Sequence, residues 1–145
     1  MKRMRGDDDS EGGGKKAKKE KKKEKTLKVM KERSVQGGVK VKDLIIGSGG
    51  QASAGRQVSV LYEGTLKDGT MFDKNLNKKR PFRFRMGLGE VIKGLEVGLQ
   101  GMRVGGDRII TIPPELGYGK RRTGKIPPGS TLIFTISLLD VEGRM

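Results

Sequence analysis

Val91-Ile92-Lys93-Gly94-Leu95-Glu96-Val97-Gly98-Leu99 is the one stretch of this 145-residue chain with helical spacing. Val91, Leu95 and Leu99 recur at four-residue intervals and Ile92 extends the stripe, while Lys93, Glu96 and Gln100 fall opposite. Glu90 is expected in the first turn, where a carboxylate is favoured by the helix dipole. Gly94 and Gly98 each weaken such a helix by roughly 1 kcal/mol relative to alanine, so packing on a neighbouring layer must hold it.

The flanking sequence supplies that layer as short alternating segments punctuated by glycine. Val39, Val41 and Ile45 alternate with polar residues before Gly47-Ser48-Gly49-Gly50, and Val58, Val60 and Tyr62 share one face of a second strand. Asp68-Gly69 marks a hairpin. Pro81 to Met86 places Phe82, Phe84 and Met86 on one face, and Arg108 to Ile112 forms a strand that stops at Pro113-Pro114. From Thr131 to Leu139, Leu132, Phe134, Ile136 and Leu138 alternate strictly with the more mixed set Ile133, Thr135, Ser137 and Leu139, which predicts one wetter face. The expected fold is α+β, an antiparallel sheet covering one short α-helix.

Composition removes several kinds of chemistry. The chain has no His and no Cys, so it has no Ser-His or Cys-His pair, no imidazole or thiolate ligand for zinc, and no disulfide. No apolar run approaches the ~20 residues that span a bilayer, and the N-terminus lacks the apolar core of a secretory signal, so a soluble intracellular protein without a membrane partner is expected. The net charge of +15 favours polyanionic partners.

That charge is divided between two kinds of sequence. Met1 to Val35 carries 14 Lys+Arg against 7 Asp+Glu, and from Arg5 to Thr26 its only apolar side chain is Ala17. Such a segment cannot bury enough surface to offset chain entropy, so residues 1–35 are expected to be a disordered, lysine-rich tail and residues 36–143 the folded domain. Lys15, Lys16, Lys18, Lys19, Lys21, Lys22, Lys23 and Lys25 form a candidate nuclear address and polyanion-binding arm. Gly119 to Lys125 imitates a phosphate loop, but Ile126 stands where Ser/Thr is required and Pro127-Pro128 where a capping helix would start. Gly87-Leu88-Gly89 lacks the third glycine of a dinucleotide fingerprint.

Tyr62-Glu63-Gly64, Asp68-Gly69 with Phe72-Asp73, Pro81-Phe82-Arg83-Phe84, Gly87 followed by Glu90-Val91-Ile92-Lys93-Gly94, Gly101-Met102, Tyr118-Gly119, and Ile126-Pro127-Pro128 to Phe134 occur in a characteristic order and spacing. In these residues the chain resembles the macrolide-binding FKBP-type peptidyl-prolyl isomerases from about Gly37 to Val141. The resemblance implies a strongly bent antiparallel sheet wrapped around the helix, with a pocket between them for an Xaa-Pro segment. It assigns that pocket to Tyr62, Phe72, Asp73, Phe82, Val91, Ile92, Tyr118, Ile126 and Phe134, with Leu95 at its floor, and leaves Phe84 outside, in the core. It also gives the Ile92 N–H and the Tyr118 hydroxyl to substrate hydrogen bonds and has Asp73 orient Tyr62.

Many members place Trp at the floor where this chain has Leu95, which implies weaker catalysis and macrolide binding. Lys120, Arg121, Arg122 and Lys125 make the loop before Ile126 basic, and Lys78, Lys79 and Arg80 place further cations beside the pocket, so substrates with acidic flanks or polyanions are expected near it. The basic N-terminal segment resembles the nuclear and nucleolar branch of the family. The resulting expectation is a monomeric, cofactor-free prolyl isomerase in the nucleus or nucleolus. Its expected partners are proline-containing proteins, rapamycin- or tacrolimus-type macrolides, and histones or nucleic acid through the tail. A weakly catalytic adaptor for proline segments or chromatin is the alternative.

Overall fold

The structure, a computed structural model, describes residues 31–142. The lysine run and the rest of the basic tail before residue 31 lie outside the described residues. Seven strands and one α-helix follow in order: β1 (Arg33–Ser34), β2 (Lys40–Ile45), β3 (Gln57–Leu66), β4 (Met71–Asn75), β5 (Phe82–Arg85), α1 (Lys93–Leu99), β6 (Asp107–Ile112) and β7 (Leu132–Glu142). Every strand pairing is antiparallel, and the sheet runs β1-β2-β6-β7-β3. β4 and β5 share the far edge of β3, β5 on its first half and β4 on its second.

Register shifts interrupt the pairing of β2 with β6, of β3 with β4 and of β3 with β7. Each such bulge bends its strand and adds local twist, which lets the long β3–β7 pair curve around α1. β7 keeps the predicted alternation, with Leu132, Phe134, Ile136 and Leu138 buried and Thr135 exposed. β3 departs from it, because Ser59 and Leu61 are buried along with Val58 and Val60.

The helix differs from its sequence pattern in an instructive way. Val91 and Ile92 precede it; Ile92 is extended (φ −61°, ψ 150°), and the helix begins at Lys93. Gly94 and Gly98, with Leu99, are its buried residues. A Cβ at Gly94 would overlap Ile112 Cγ2, and one at Gly98 would overlap Ile110 Cγ2. The two glycines are therefore the contact face on β6 as well as a loss of propensity, and only hydrogen fits there. Glu90 also lies outside the helix, where its Oε1 accepts the Arg85 N–H at 3.0 Å.

Arg33, Ser34 and Val35, which the sequence boundary assigns to the tail, take part in the described fold. Arg33–Ser34 pairs with Lys40–Val41, Val35 packs against the core, and Arg33 reaches Asp43 Oδ2 at 3.1 Å. Asp43 follows Val39 and Val41 on the inward face of β2, where a carboxylate needs a partner. Arg108 Nε, itself buried, lies 2.6 Å from Asp43 Oδ1. Arg108 Nη1 also donates to the carbonyls of Gly98 (2.7 Å) and Gln100 (3.3 Å), satisfying acceptors at the end of α1.

Candidate active site

β3, β4, β5, α1 and β7 enclose a cavity of about 370 Å³ beneath the loops that precede α1 and β7. All ten residues assigned to the pocket by sequence line it. Tyr62 comes from β3, Phe72 and Asp73 from β4, Phe82 from β5, and Phe134 from β7. Val91 and Ile92 arrive on the segment before α1, Leu95 from the helix itself, and Tyr118 and Ile126 from the loop ahead of β7.

Val60, Phe84, Glu90, Leu99, Ile136 and the segment Thr123-Gly124-Lys125 also line the cavity. Phe84 corrects the expectation that it stands outside. It is buried in the core, yet alternation puts it on the same face of β5 as Phe82, with ring centroids 5.4 Å apart. Its place was legible from that alternation. All four Phe and both Tyr of the chain thus face one cavity.

The aromatic walls meet edge to face, the arrangement favoured by ring quadrupoles. Phe72 and Phe134 are 5.5 Å apart at 85°, and Tyr62 and Phe82 are 5.8 Å apart at 70°. Gly64 on β3 makes the first pair possible, since a Cβ there would come within 2.6 Å of Phe72 Cζ and 3.0 Å of Phe134 Cε1.

Two polar side chains of the cavity are joined directly. The Tyr62 hydroxyl donates to Asp73 Oδ2 at 2.7 Å, across the β3–β4 pairing. Burial, then the hydrogen bond to Asp73 and its negative charge, push the Tyr62 phenol well above its ordinary range, so it stays protonated at neutral pH. The segment before α1 is tied down by Glu96, whose Oε2 accepts the N–H groups of Gly87 (3.1 Å) and Gly89 (3.2 Å). Gly87 and Gly89 both have positive φ, so the turn depends on glycine. The Ile92 N–H takes no part in the backbone hydrogen bonds of the surrounding turns among the described residues.

Tyr118 follows a short 3-10 turn, Pro114–Leu116, and is anchored by the Gly119 N–H donating to the Pro114 carbonyl at 2.8 Å. Thr123 and Ile126 exchange backbone hydrogen bonds of 3.0 and 2.8 Å, closing a tight turn over Gly124-Lys125. Lys120, Arg121, Arg122 and Lys125 are exposed on this loop. Among the described residues no group of three His, Cys, Asp or Glu side chains is placed to hold a metal ion. The arrangement offers desolvation, shape and isolated hydrogen bonds, and no nucleophile–base pair.

Residues 49–139 match the family model described as FKBP-type peptidyl-prolyl cis-trans isomerase. The chain is 50% identical over 105 residues to the FK506-binding protein 4 of Aspergillus fumigatus, covering 72% of this chain and 21% of that protein. It is 47% identical over 111 residues to the 39 kDa FK506-binding nuclear protein of Drosophila melanogaster, covering 76% of this chain and 31% of that one. The chain therefore spans less than a third of the length of these curated relatives. Among solved structures, that of AtFKBP13 aligns with a TM-score of 0.69 at 36% identity, over 78% of this chain and 99% of its own.

Proposed function

We propose, for a chain that belongs to the FKBP-type peptidyl-prolyl cis-trans isomerase family, that its aromatic cavity catalyses rotation about Xaa-Pro bonds in protein substrates. The observation that carries this reading is the convergence of every aromatic side chain on one cavity that holds a single tyrosine–aspartate hydrogen bond. An Xaa-Pro bond isomerises over tens of seconds because twisting it breaks amide resonance, against a barrier of ~18–20 kcal/mol. The planar amide is more polar than the twisted one. A dry aromatic site therefore disfavours the ground state relative to the transition state, and no covalent step is needed.

In this reading Phe72, Phe82, Phe134, Val91 and Ile126 wall the prolyl ring, and Leu95 closes the floor. The Ile92 N–H donates to the substrate carbonyl and Tyr118 supplies a second hydrogen bond. Asp73 holds Tyr62 in place. The test is NMR exchange spectroscopy on a short Xaa-Pro peptide with and without the protein, because catalysis alone accelerates interconversion. An unchanged exchange rate with the pocket intact would remove the activity.

The smaller Leu95 floor favours a second reading, a proline-segment adaptor that binds more than it catalyses. The same cavity would accept rapamycin- or tacrolimus-type macrolides. A nuclear site of action is supported by the lysine run from Lys15 to Lys25 and by the nuclear designation of the Drosophila relative. Contacts of the tail with histones or nucleic acid belong to the same proposal.

A further inference from the structure

The Lys120–Lys125 loop joins the wall of the cavity to an exposed cluster of four cations. Ile126 lines the cavity and is buried, and Thr123, Gly124 and Lys125 line the same opening immediately before it. The paired hydrogen bonds between Thr123 and Ile126 close a turn of two residues, with Gly124 at φ +57°, so Lys125 is presented on a fixed backbone. Lys120, Arg121 and Arg122 precede it and are exposed.

Among the described residues both ion pairs belong to Asp43, so none of these four cations has an acidic partner in the fold. The carboxylates that line the cavity, Asp73 and Glu90, are already engaged, by the Tyr62 hydroxyl and the Arg85 N–H respectively. The loop side of the opening is thus cationic, with no ion-pair partner for these four side chains among the described residues.

Building on the prolyl-isomerase reading, we propose that this loop selects Xaa-Pro segments with an acidic residue on the Lys125 side of the proline. Successive residues of an extended peptide are about 3.3–3.6 Å apart, so a carboxylate within about two or three residues of a proline seated against Ile126 comes within reach of Lys125. Lys125 adjoins the buried Ile126 in the chain, so its attraction acts on the peptide residues at that end of the proline and gives the preference a direction. A peptide fits these observations better than nucleic acid. Every aromatic side chain that could stack on bases is committed to the cavity, and the cations flank the place where a proline would sit.

The test uses the full chain and matched Xaa-Pro peptides carrying glutamate, glutamine or lysine two residues to either side of the proline. NMR exchange rates and peptide chemical-shift titrations are measured on the same samples. Exposed charge pairs act weakly one at a time, so the expected preference is about threefold to tenfold for glutamate over glutamine, on one side of the proline only and shrinking with added salt. In Lys125→Glu the ratio should invert toward the lysine peptide. Equal rates and affinities across the series would overturn the inference while leaving the isomerase reading intact. Exchange unaccelerated for every peptide would remove the isomerase reading, and the titrations would still decide the preference. A charge reversal that changes affinity for duplex DNA but not the peptide ratio would make the loop a nucleic-acid contact and overturn the proposal.

Discussion

Tyr62 and Asp73 lie on paired strands, and the Tyr62 hydroxyl donates a 2.7 Å hydrogen bond to Asp73 Oδ2. Because the folded state holds this phenol's proton more tightly than the unfolded chain does, stability keeps its full value below about pH 10 and falls as pH rises above it. In Tyr118→Phe, which leaves Tyr62 as the only tyrosine, the ultraviolet ionisation midpoint is expected above the ordinary tyrosine range, and adding Asp73→Ala should lower it. Asp73→Ala and Phe72→Ala are each expected to reduce isomerase activity at least about tenfold, or roughly 1.4 kcal/mol of transition-state stabilisation. Full activity in folded variants would remove both from the site.

Leu95→Trp is expected to preserve the fold and tighten binding of rapamycin or tacrolimus, because the indole adds apolar contact to the cavity that Leu95 lines. Calorimetric titration of both proteins checks this. Affinity equal to or below that of the parent in a folded variant would place the ligand elsewhere.

Gly94→Ala and Gly98→Ala should destabilise the domain although each raises helix propensity. The gain is about 1 kcal/mol per site, whereas forcing a methyl into Ile112 or Ile110 costs about 1–3 kcal/mol. Both isoleucines sit on β6, between β2 and β7, and are fully buried, which limits their retreat. Urea denaturation gives the sign directly; an increase in midpoint for either variant would show that α1 can lift from the sheet.

Removing either end of the Asp43 pairing has unequal consequences. Asp43→Ala strands the buried Arg108 and is expected to cost about 3 kcal/mol or more, moderated by the carbonyls of Gly98 and Gln100. Arg33 is half-exposed, and Arg33→Ala should cost less than about 1 kcal/mol. Comparable losses in denaturant midpoint would contradict this ranking.

Deleting residues 1–30 removes 12 Lys+Arg and 6 Asp+Glu while sparing β1 and its ion pair. Isomerisation of short peptides should persist. Binding to duplex DNA should weaken and its log–log salt slope become shallower, since fewer lysines release counterions. Nuclear accumulation of a large fluorescent fusion should fall as well. An unchanged slope would transfer polyanion binding to the Lys120–Lys125 loop.

Local pattern carried β6 and β7. β7 was legible because a sheet with one buried face imposes a period of two on its side chains, and β6 because Pro113 and Pro114 cannot continue the pairing. The ten pocket positions were legible from the spacing of a recognisable motif set, not from periodicity, which would have sent most of them to the core. The tertiary structure decided what depends on partners distant along the chain. An inward carboxylate at Asp43 looks like a break in alternation until Arg108, 65 residues away, neutralises it. The two residues of β1 are too short to show a period, and β2 recruits them. Gly94 and Gly98 read as helix weaknesses because propensity scores a residue in isolation, whereas their worth lies in how closely Ile110 and Ile112 approach. Phe84 belongs to core and cavity together, a distinction that exists only once the sheet has curved around the helix.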